Sequence, residues 1–304
     1  MHARISAFAN ANKFDENVCI LPRSLKQSLV FFLTILAMAL VTPASEARES
    51  VSVAKLAEIS GMIDALDEMA DAIAGQAEQI TQEGDATGEP AEFLAAWKKA
   101  ANKGFSADTM KAEFLKRLEG KLAPDETNAV TEFYVSDLGK KLVAAETASA
   151  SDAGQQEMAS LAPSLMEGLA KEPARKAVLD KIAAVTNLNE LMTSMTLNVS
   201  RAVLIGMATA DTSSRRMTLE DISQVMAQQK PTIAKQSEAM AMLSLAHAYK
   251  DMSVDDLEKY GNFLATPAGG KFIKVTTGAI DAVMSGASLT FGKLLAAELG
   301  RTPI

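Results

Sequence analysis

Cysteine, histidine and aromatic residues are scarce in this chain of 304 residues. The one cysteine, Cys19, stands ahead of the only long apolar run, Leu29 to Val41. A product without that run carries no cysteine, which excludes structural disulfides, thiol nucleophiles and thiolate metal sites from it. Only two histidines occur, His2 and His247, so a Ser-His-Asp triad in such a product would have to use His247. No Gly-x-Ser-x-Gly elbow accompanies it. No Glu-x-x-His pair occurs either, which excludes a di-iron bundle of the usual type. Positive charge is outweighed, with 30 Lys and Arg against 38 Asp and Glu and a formal net charge of −8. That balance argues against nucleic acid, whose binding draws on clustered Lys and Arg. It also argues against docking on anionic lipid.

The apolar run has the flanks of an export signal. Arg23 and Lys26 precede it, and Pro43-Ala44-Ser45-Glu46-Ala47 follows, with small residues at Ser45 and Ala47. A basic flank, a short apolar core and a small-x-small end describe a secretory leader. Residues 1–47 are therefore expected to be a signal peptide with an extended N-terminus, cleaved after Ala47. The expected destination is the periplasm or the exterior. The alternative is an uncleaved membrane anchor, the only route by which this chain would meet a membrane. Losing residues 1–47 removes Arg4, Lys13, Arg23 and Lys26 against Asp15, Glu16 and Glu46, leaving a slightly more acidic remainder.

That remainder reads as all-α. It is rich in residues that favour helices, and no stretch alternates apolar and polar residues cleanly enough for a strand. Leu56, Ile59, Met62, Ile63, Leu66, Met69, Ala70 and Ile73 place one apolar stripe on a helix. Glu83-Gly84-Asp85-Ala86-Thr87-Gly88-Glu89-Pro90 predicts a loop. A short helix over Ala91 to Lys99 carries Trp97. Ser106, Thr218 and Ser253 are expected to cap helix starts, and Lys230-Pro231 to interrupt one.

One ten-residue pattern occurs twice. Phe133-Tyr134-Val135-Ser136-Asp137-Leu138-Gly139-Lys140-Lys141-Leu142 returns as Phe263-Leu264-Ala265-Thr266-Pro267-Ala268-Gly269-Gly270-Lys271-Phe272. The offset is constant (263 − 133 = 130). Leu188, Leu191, Met192 and Met195 likewise answer Met62, Ala65, Leu66 and Met69 at a second offset (188 − 62 = 126). Repetition at such a distance points to duplication. The expected architecture is two tandem helical-bundle units, 48–170 and 171–304, related by an internal repeat.

The repeated pattern reads as a helix-helix corner. Ser136 or Thr266 accepts a hydrogen bond from the first turn of the second helix. Asp137 complements the helix dipole, and Pro267 has no N–H to leave unpaired at the first position. Gly139 or Gly269 lets the preceding helix come close, and Phe133 or Phe263 plugs the angle between the two helices. Besides packing, a helix N-terminus with a lysine can hold an anion, which puts Lys140, Lys141 and Lys271 forward. The candidate binding residues are Phe133, Tyr134, Ser136, Gly139, Lys140, Phe263, Thr266, Gly269 and Lys271. Ala268-Gly269-Gly270-Lys271 is not a phosphate loop, because the first glycine and the Ser or Thr after the lysine are missing.

The corner resembles a family of exported bacterial proteins grouped as domain-of-unknown-function family 2059. Its hallmark is a helix ending in Phe-Tyr, then Ser or Thr, a Gly-Lys pair and an apolar residue. Phe133, Tyr134, Ser136, Gly139 and Lys140 match it. In the second copy Phe263, Thr266 and Gly269 match, while Leu264 and Gly270 depart from it. The resemblance implies an exported helical protein and brings no catalytic residue with it.

Other groups invite chemistry. Asp64, Asp67, Glu68 and Asp71 form an acidic stripe, which suits a solvated helix face or a divalent cation. Met192, Met195, Met240 and Met242 suit a core, an adaptable apolar or peptide-binding groove, or Cu(I). No catalytic residue, metal site or cofactor is assigned. The expected role is a non-enzymatic protein that binds a partner protein or an apolar ligand. The alternatives are a hydrolase of unrecognised type using His247, and a membrane-tethered structural protein.

Overall fold

The computed structural model describes residues 51–87, 91–210 and 217–300; the side chains of 76–87, 209, 210 and 300 are not described. The leader, with His2, Cys19 and Ala47, lies outside the described residues. Among the described residues the chain is all-helical, with no strand. The helices are α1 Val53–Ile59, α2 Met62–Thr87, α3 Ala91–Gly104, α4 Ala107–Leu118, α5 Pro124–Tyr134, α6 Asp137–Ala150, α7 Asp152–Lys171, α8 Pro173–Val185, α9 Leu188–Ala210, α10 Leu219–Ala248, α11 Val254–Leu264 and α12 Pro267–Gly300.

Helix starts follow local chemistry. Thr218 and Ser253 accept hydrogen bonds from Asp221 N–H and Asp256 N–H, and the Asp221 carboxylate accepts one from Thr218 N–H to complete a capping box. Ser106 occupies the cap position of α4, but its side chain makes no capping bond. Two left-handed residues turn the chain between α1 and α2 and between α8 and α9: Gly61 (φ 68°) and Asn187 (φ 49°). Glycine and asparagine are the residues that accept that conformation most readily.

Two stretches predicted to break helices are helical among the described residues. Helix α2 continues through Glu83-Gly84-Asp85-Ala86-Thr87, the first part of the predicted loop, while Gly88-Glu89-Pro90 lie outside the described residues; one glycine costs a helix only about 1 kcal/mol against alanine. Helix α10 runs unbroken through Pro231. Pro231 is exposed, so water can reach the carbonyl that loses its partner. The opposite face of α10 stays packed through Ile222, Met226, Ile233 and Ser237. The Trp97 helix also extends past Lys99, to Gly104.

Two main apolar clusters hold the helices together, and each draws on both halves of the chain. The first combines Leu66, Trp97, Phe114 and Tyr134 with Val199 of α9 and Phe272, Val283 and Phe291 of α12. The second combines Leu142 of α6 and Leu169 of α7 with Leu179, Met192, Leu245, Leu257 and Leu264. Helix α9 runs through both. Its stretch Leu188–Ala208 is long and apolar enough to cross a membrane by length and composition, and half of it is buried against the rest of the chain. It crosses α12 where Gly206 meets Gly292: a Cβ on Gly206 would lie 2.8 Å from Gly292 Cα.

Candidate functional site

Both repeated corners are built alike. The Ser136 hydroxyl donates to the Phe133 carbonyl (2.6 Å) and accepts from Gly139 N–H (3.0 Å). The Thr266 hydroxyl donates to the Phe263 carbonyl (2.7 Å) and accepts from Gly269 N–H (3.0 Å). A Cβ on Gly139 would stand 2.6 Å from Tyr134 Cα, and one on Gly269 3.0 Å from the Phe263 carbonyl carbon. The glycine is needed because the incoming helix passes where a side chain would be. A third corner of this kind joins α6 to α7. The Ser151 hydroxyl donates to the Ala148 carbonyl (2.8 Å) and accepts from Gly154 N–H (3.1 Å). Its signal is present in the sequence, where Ser151-Asp152-Ala153-Gly154 copies the Ser-Asp-x-Gly of Ser136 to Gly139.

Phe133 and Phe263 do not fill separate corners. Their rings stack on each other, centroids 3.7 Å apart and planes 1° from parallel. Both are half-buried, and both touch the two main clusters. Tyr134 is buried beside them and contacts Phe272. Two ion pairs tie the corner helices across the chain: Lys141 with Asp256 at 2.8 Å, and Lys271 with Glu126. Their partners correspond at the repeat offset (271 − 141 = 130 and 256 − 126 = 130). Asp256 and Glu126 are held below their ordinary range, chiefly by hydrogen bonds from Lys141 and Lys271. Two of the three lysines put forward for an anion are thus taken by carboxylates. Lys140 lies half-buried in the first turn of α6 and joins neither pair.

These pairs are surface contacts, which contribute little singly. Lys141→Glu is expected to lower the melting temperature slightly, and Asp256→Lys in the same chain to restore it. Failure of the double exchange to recover stability would count against the pairing. The contribution of Asp256 is present above its ordinary 3.8 and is lost as pH falls through its lowered value.

Beneath α6 lies a seam of polar groups that no local motif announces. The Ser149 hydroxyl and His247 Nδ1 are 2.7 Å apart, and His247 Nε2 is 3.1 Å from the Glu157 carboxylate. A carboxylate only accepts, so Nε2 carries the proton; in the neutral ring Nδ1 then accepts from Ser149. Lys250 also pairs with Glu157. Its hydrogen bond, then that of His247, holds Glu157 below the usual carboxylate range. His247, expected in a helix, is buried at 2% exposure, and Ser149 is 4% exposed. This chain of groups has the composition of a hydrolytic triad, but its hydroxyl faces the protein interior.

One turn before Ser149, Glu146 is buried, and the three tyrosines of the chain gather around it. Tyr249 donates a hydrogen bond to it, and the buried Tyr260 hydroxyl lies close enough to both to influence their protonation. The Tyr134 hydroxyl is buried with no partner among the described residues. Burial pushes the Glu146 carboxyl up to about 8, against the downward pull of the Tyr249 and Tyr260 bonds. Burial raises all three phenols well above their ordinary 10. Glu146 and Tyr249 are 103 residues apart in the chain, beyond the reach of any local pattern.

The remaining candidates are absorbed by packing. Met192 lies in the second cluster and Met195 in the first, while Met240 and Met242 pack on the second. Asp67 of the acidic stripe pairs with Lys111 at 2.7 Å. Glu68 is raised, first by burial and then by Asp64, Asp152 and Asp71. Among the described residues no group of three or more His, Cys, Asp or Glu is placed to hold a metal ion.

Residues 108–167 match the family described as "Uncharacterized protein conserved in bacteria (DUF2059)". The matched stretch contains the first corner, the third corner, Glu146, Ser149 and Glu157. No curated protein and no solved structure matches the chain.

Proposed function

We propose that this is an exported, non-enzymatic protein that binds a partner protein or an apolar ligand, built from two tandem units that exchange their closing helices. Export is supported by the leader-like run at Leu29 to Val41. The two-unit reading is supported by the paired corners, by the reciprocal ion pairs, and by Gly61 and Asn187 at the second offset (187 − 61 = 126). It is supported too by burial, which runs nearly in step over 121–150 and 251–280. A contact of residue i with j matched by one between their counterparts is the mark of a two-fold interface. On this reading α6 and α7 complete the second cluster and α12 the first.

Binding rests on one observation. Leu219 at the start of α10 is 66% exposed. Next to it in the chain, a small core of Leu204, Ile222 and Met226 carries Leu197, Ile205, Met217 and Val225 half-buried on it. One exposed leucine beside so thin an apolar cluster suits the edge of an interaction surface, and the neighbouring Met217 suits an adaptable one. A photo-crosslinking residue at position 219 is expected to yield a discrete adduct in an export-competent host. The same residue at position 235, exposed on the same helix, is expected to yield none. Equal labelling at both positions, or none at 219, would defeat the proposal.

The hydrolase reading is favoured only by the Ser149–His247–Glu157 chain. A nucleophile must reach its substrate, and Ser149 is covered. Labelling of Ser149 by a fluorophosphonate, lost in His247→Ala, would overturn the non-enzymatic reading.

A further inference from the structure

The two closing arms are held by different chemistry. Helix α12 has its buried contacts in hydrocarbon and close backbone packing, Phe291 against Trp97 and Phe105 and Gly292 against Gly206, and its polar ties, Asp281 to Asn198, Glu298 to Lys99 and Lys271 to Glu126, lie toward the surface. The α6–α7 arm has few buried apolar side chains of its own, chiefly Leu142, Val143, Met158 and Leu169. It is fastened to the end of α10 by Glu146, Ser149 and Glu157, bonded to Tyr249, His247 and Lys250, and to α11 by Lys141 on Asp256 and by Glu146 beside Tyr260. We propose that this seam is a pH-operated latch: ionisation of the buried Glu146 carboxyl loosens α6 and α7 from α10 and α11 and uncovers the apolar surface of the second cluster.

The groups around Glu146 explain why its ionisation would be felt. Tyr134 approaches from α5, Tyr249 from the residue ending α10, and Tyr260 from α11. His247 and Lys250 lie at the end of α10 and Glu157 on α7, bonded to one another. From α8, Arg175 donates to the Tyr249 and Met252 carbonyls. The basic groups nearby are thus engaged elsewhere, and the Glu146 anion would have phenol donors for partners in a dry site. A buried charge without a countercharge is costly. Glu146 is raised, so its contribution to stability is full below its ordinary 4.5 and is lost as pH rises through about 8. Glu157 runs the other way. It is lowered, so its contribution is present above its ordinary 4.5 and is lost as pH falls through its folded value. Alkaline loosening therefore belongs to Glu146 and acid loosening to Glu157.

Amide hydrogen exchange on the purified full-length protein between about pH 6.5 and 9, corrected for the intrinsic rate, tests this. Protection in α6 and α7 is expected to fall roughly tenfold or more relative to α3 and α12 as pH rises from about 7 to 9. Glu146→Gln, which cannot ionise, is expected to remove that dependence. Tyr249→Phe deletes a bond that favours the ionised carboxylate, so the midpoint is expected to move to higher pH. A purely structural tyrosine would lower protection without moving the midpoint. Equal loss in both arms, a Glu146→Gln profile like that of the unsubstituted protein, or an unmoved Tyr249→Phe midpoint would overturn the latch. Should Glu146→Gln fail to fold, the Tyr249→Phe midpoint decides.

Discussion

Gly139→Ala is expected to destabilise the protein by ~3 kcal/mol or more, at the upper end of what overpacking costs. The added carbon would stand 2.6 Å from Tyr134 Cα and 2.9 Å from the Tyr134 carbonyl carbon. Both are backbone atoms, so no side chain can rotate away. Relief requires the α5–α6 corner to open, and that corner carries Phe133 onto Phe263 and Tyr134 into the first cluster. Gly278 is the matched control. It lies exposed within α12, and a Cβ there would meet nothing within 4 Å. At that position alanine is expected to stabilise by roughly 0.5–1 kcal/mol, the usual helix-interior gain over glycine. Urea unfolding of the two variants should therefore move in opposite directions. Movement in the same direction would mean that the corner tolerates a side chain.

Phe291→Ala is expected to cost ~3–5 kcal/mol, the usual range for a buried phenylalanine. Phe291 is buried and meets Trp97 edge-on, with centroids 4.8 Å apart, and Phe105 at 5.9 Å. Gly104 of α3 lies so close that a Cβ there would stand 2.8 Å from Phe291 Cβ. The cavity would open between α3 and α12, where little can collapse into it. Trp97 is the only tryptophan, so its emission reports on this contact directly. A red shift in the folded protein, with a lower denaturant midpoint, is the expected result. A loss below about 1 kcal/mol would mean that α12 is held elsewhere, and with it the contrast between the two arms would go.

Local chemistry is legible along the chain. Ser136, Thr218, Ser253 and Thr266 cap helices as their types and neighbours imply. The apolar spacing from Leu56 to Met69 marks residues that are mostly buried. Two punctuation signals mislead. Gly84 and Pro231 do not end their helices, because a local cost of about 1 kcal/mol for glycine, or about 3 kcal/mol for proline, is outweighed when the rest of the helix is packed. The Ser151–Gly154 corner is equally legible, but its likeness to Ser136–Gly139 falls at a short spacing rather than at the long offset that relates the other two.

The polar seam is illegible for a different reason. Ser149 and His247 are far apart in sequence, as are Glu146 and its partners Tyr249 and Tyr260. Nothing local marks any of them. Periodicity identifies which face of a helix is apolar, but not which helix will cover it.

By itself the sequence determined the helical class, the caps, the two glycine corners and the acidic, cysteine-poor character of the chain outside its apolar run. These depend on neighbours within a turn or two, whose geometry is set by backbone bonding. Only the tertiary structure decided that Phe133 lies on Phe263, that Phe272, Val283 and Phe291 of α12 join the first cluster while Leu142 of α6 and Leu169 of α7 join the second, and that Glu146 is buried among all three tyrosines. Those outcomes come from close packing of distant surfaces, where shape and the need to satisfy every buried polar group select one arrangement.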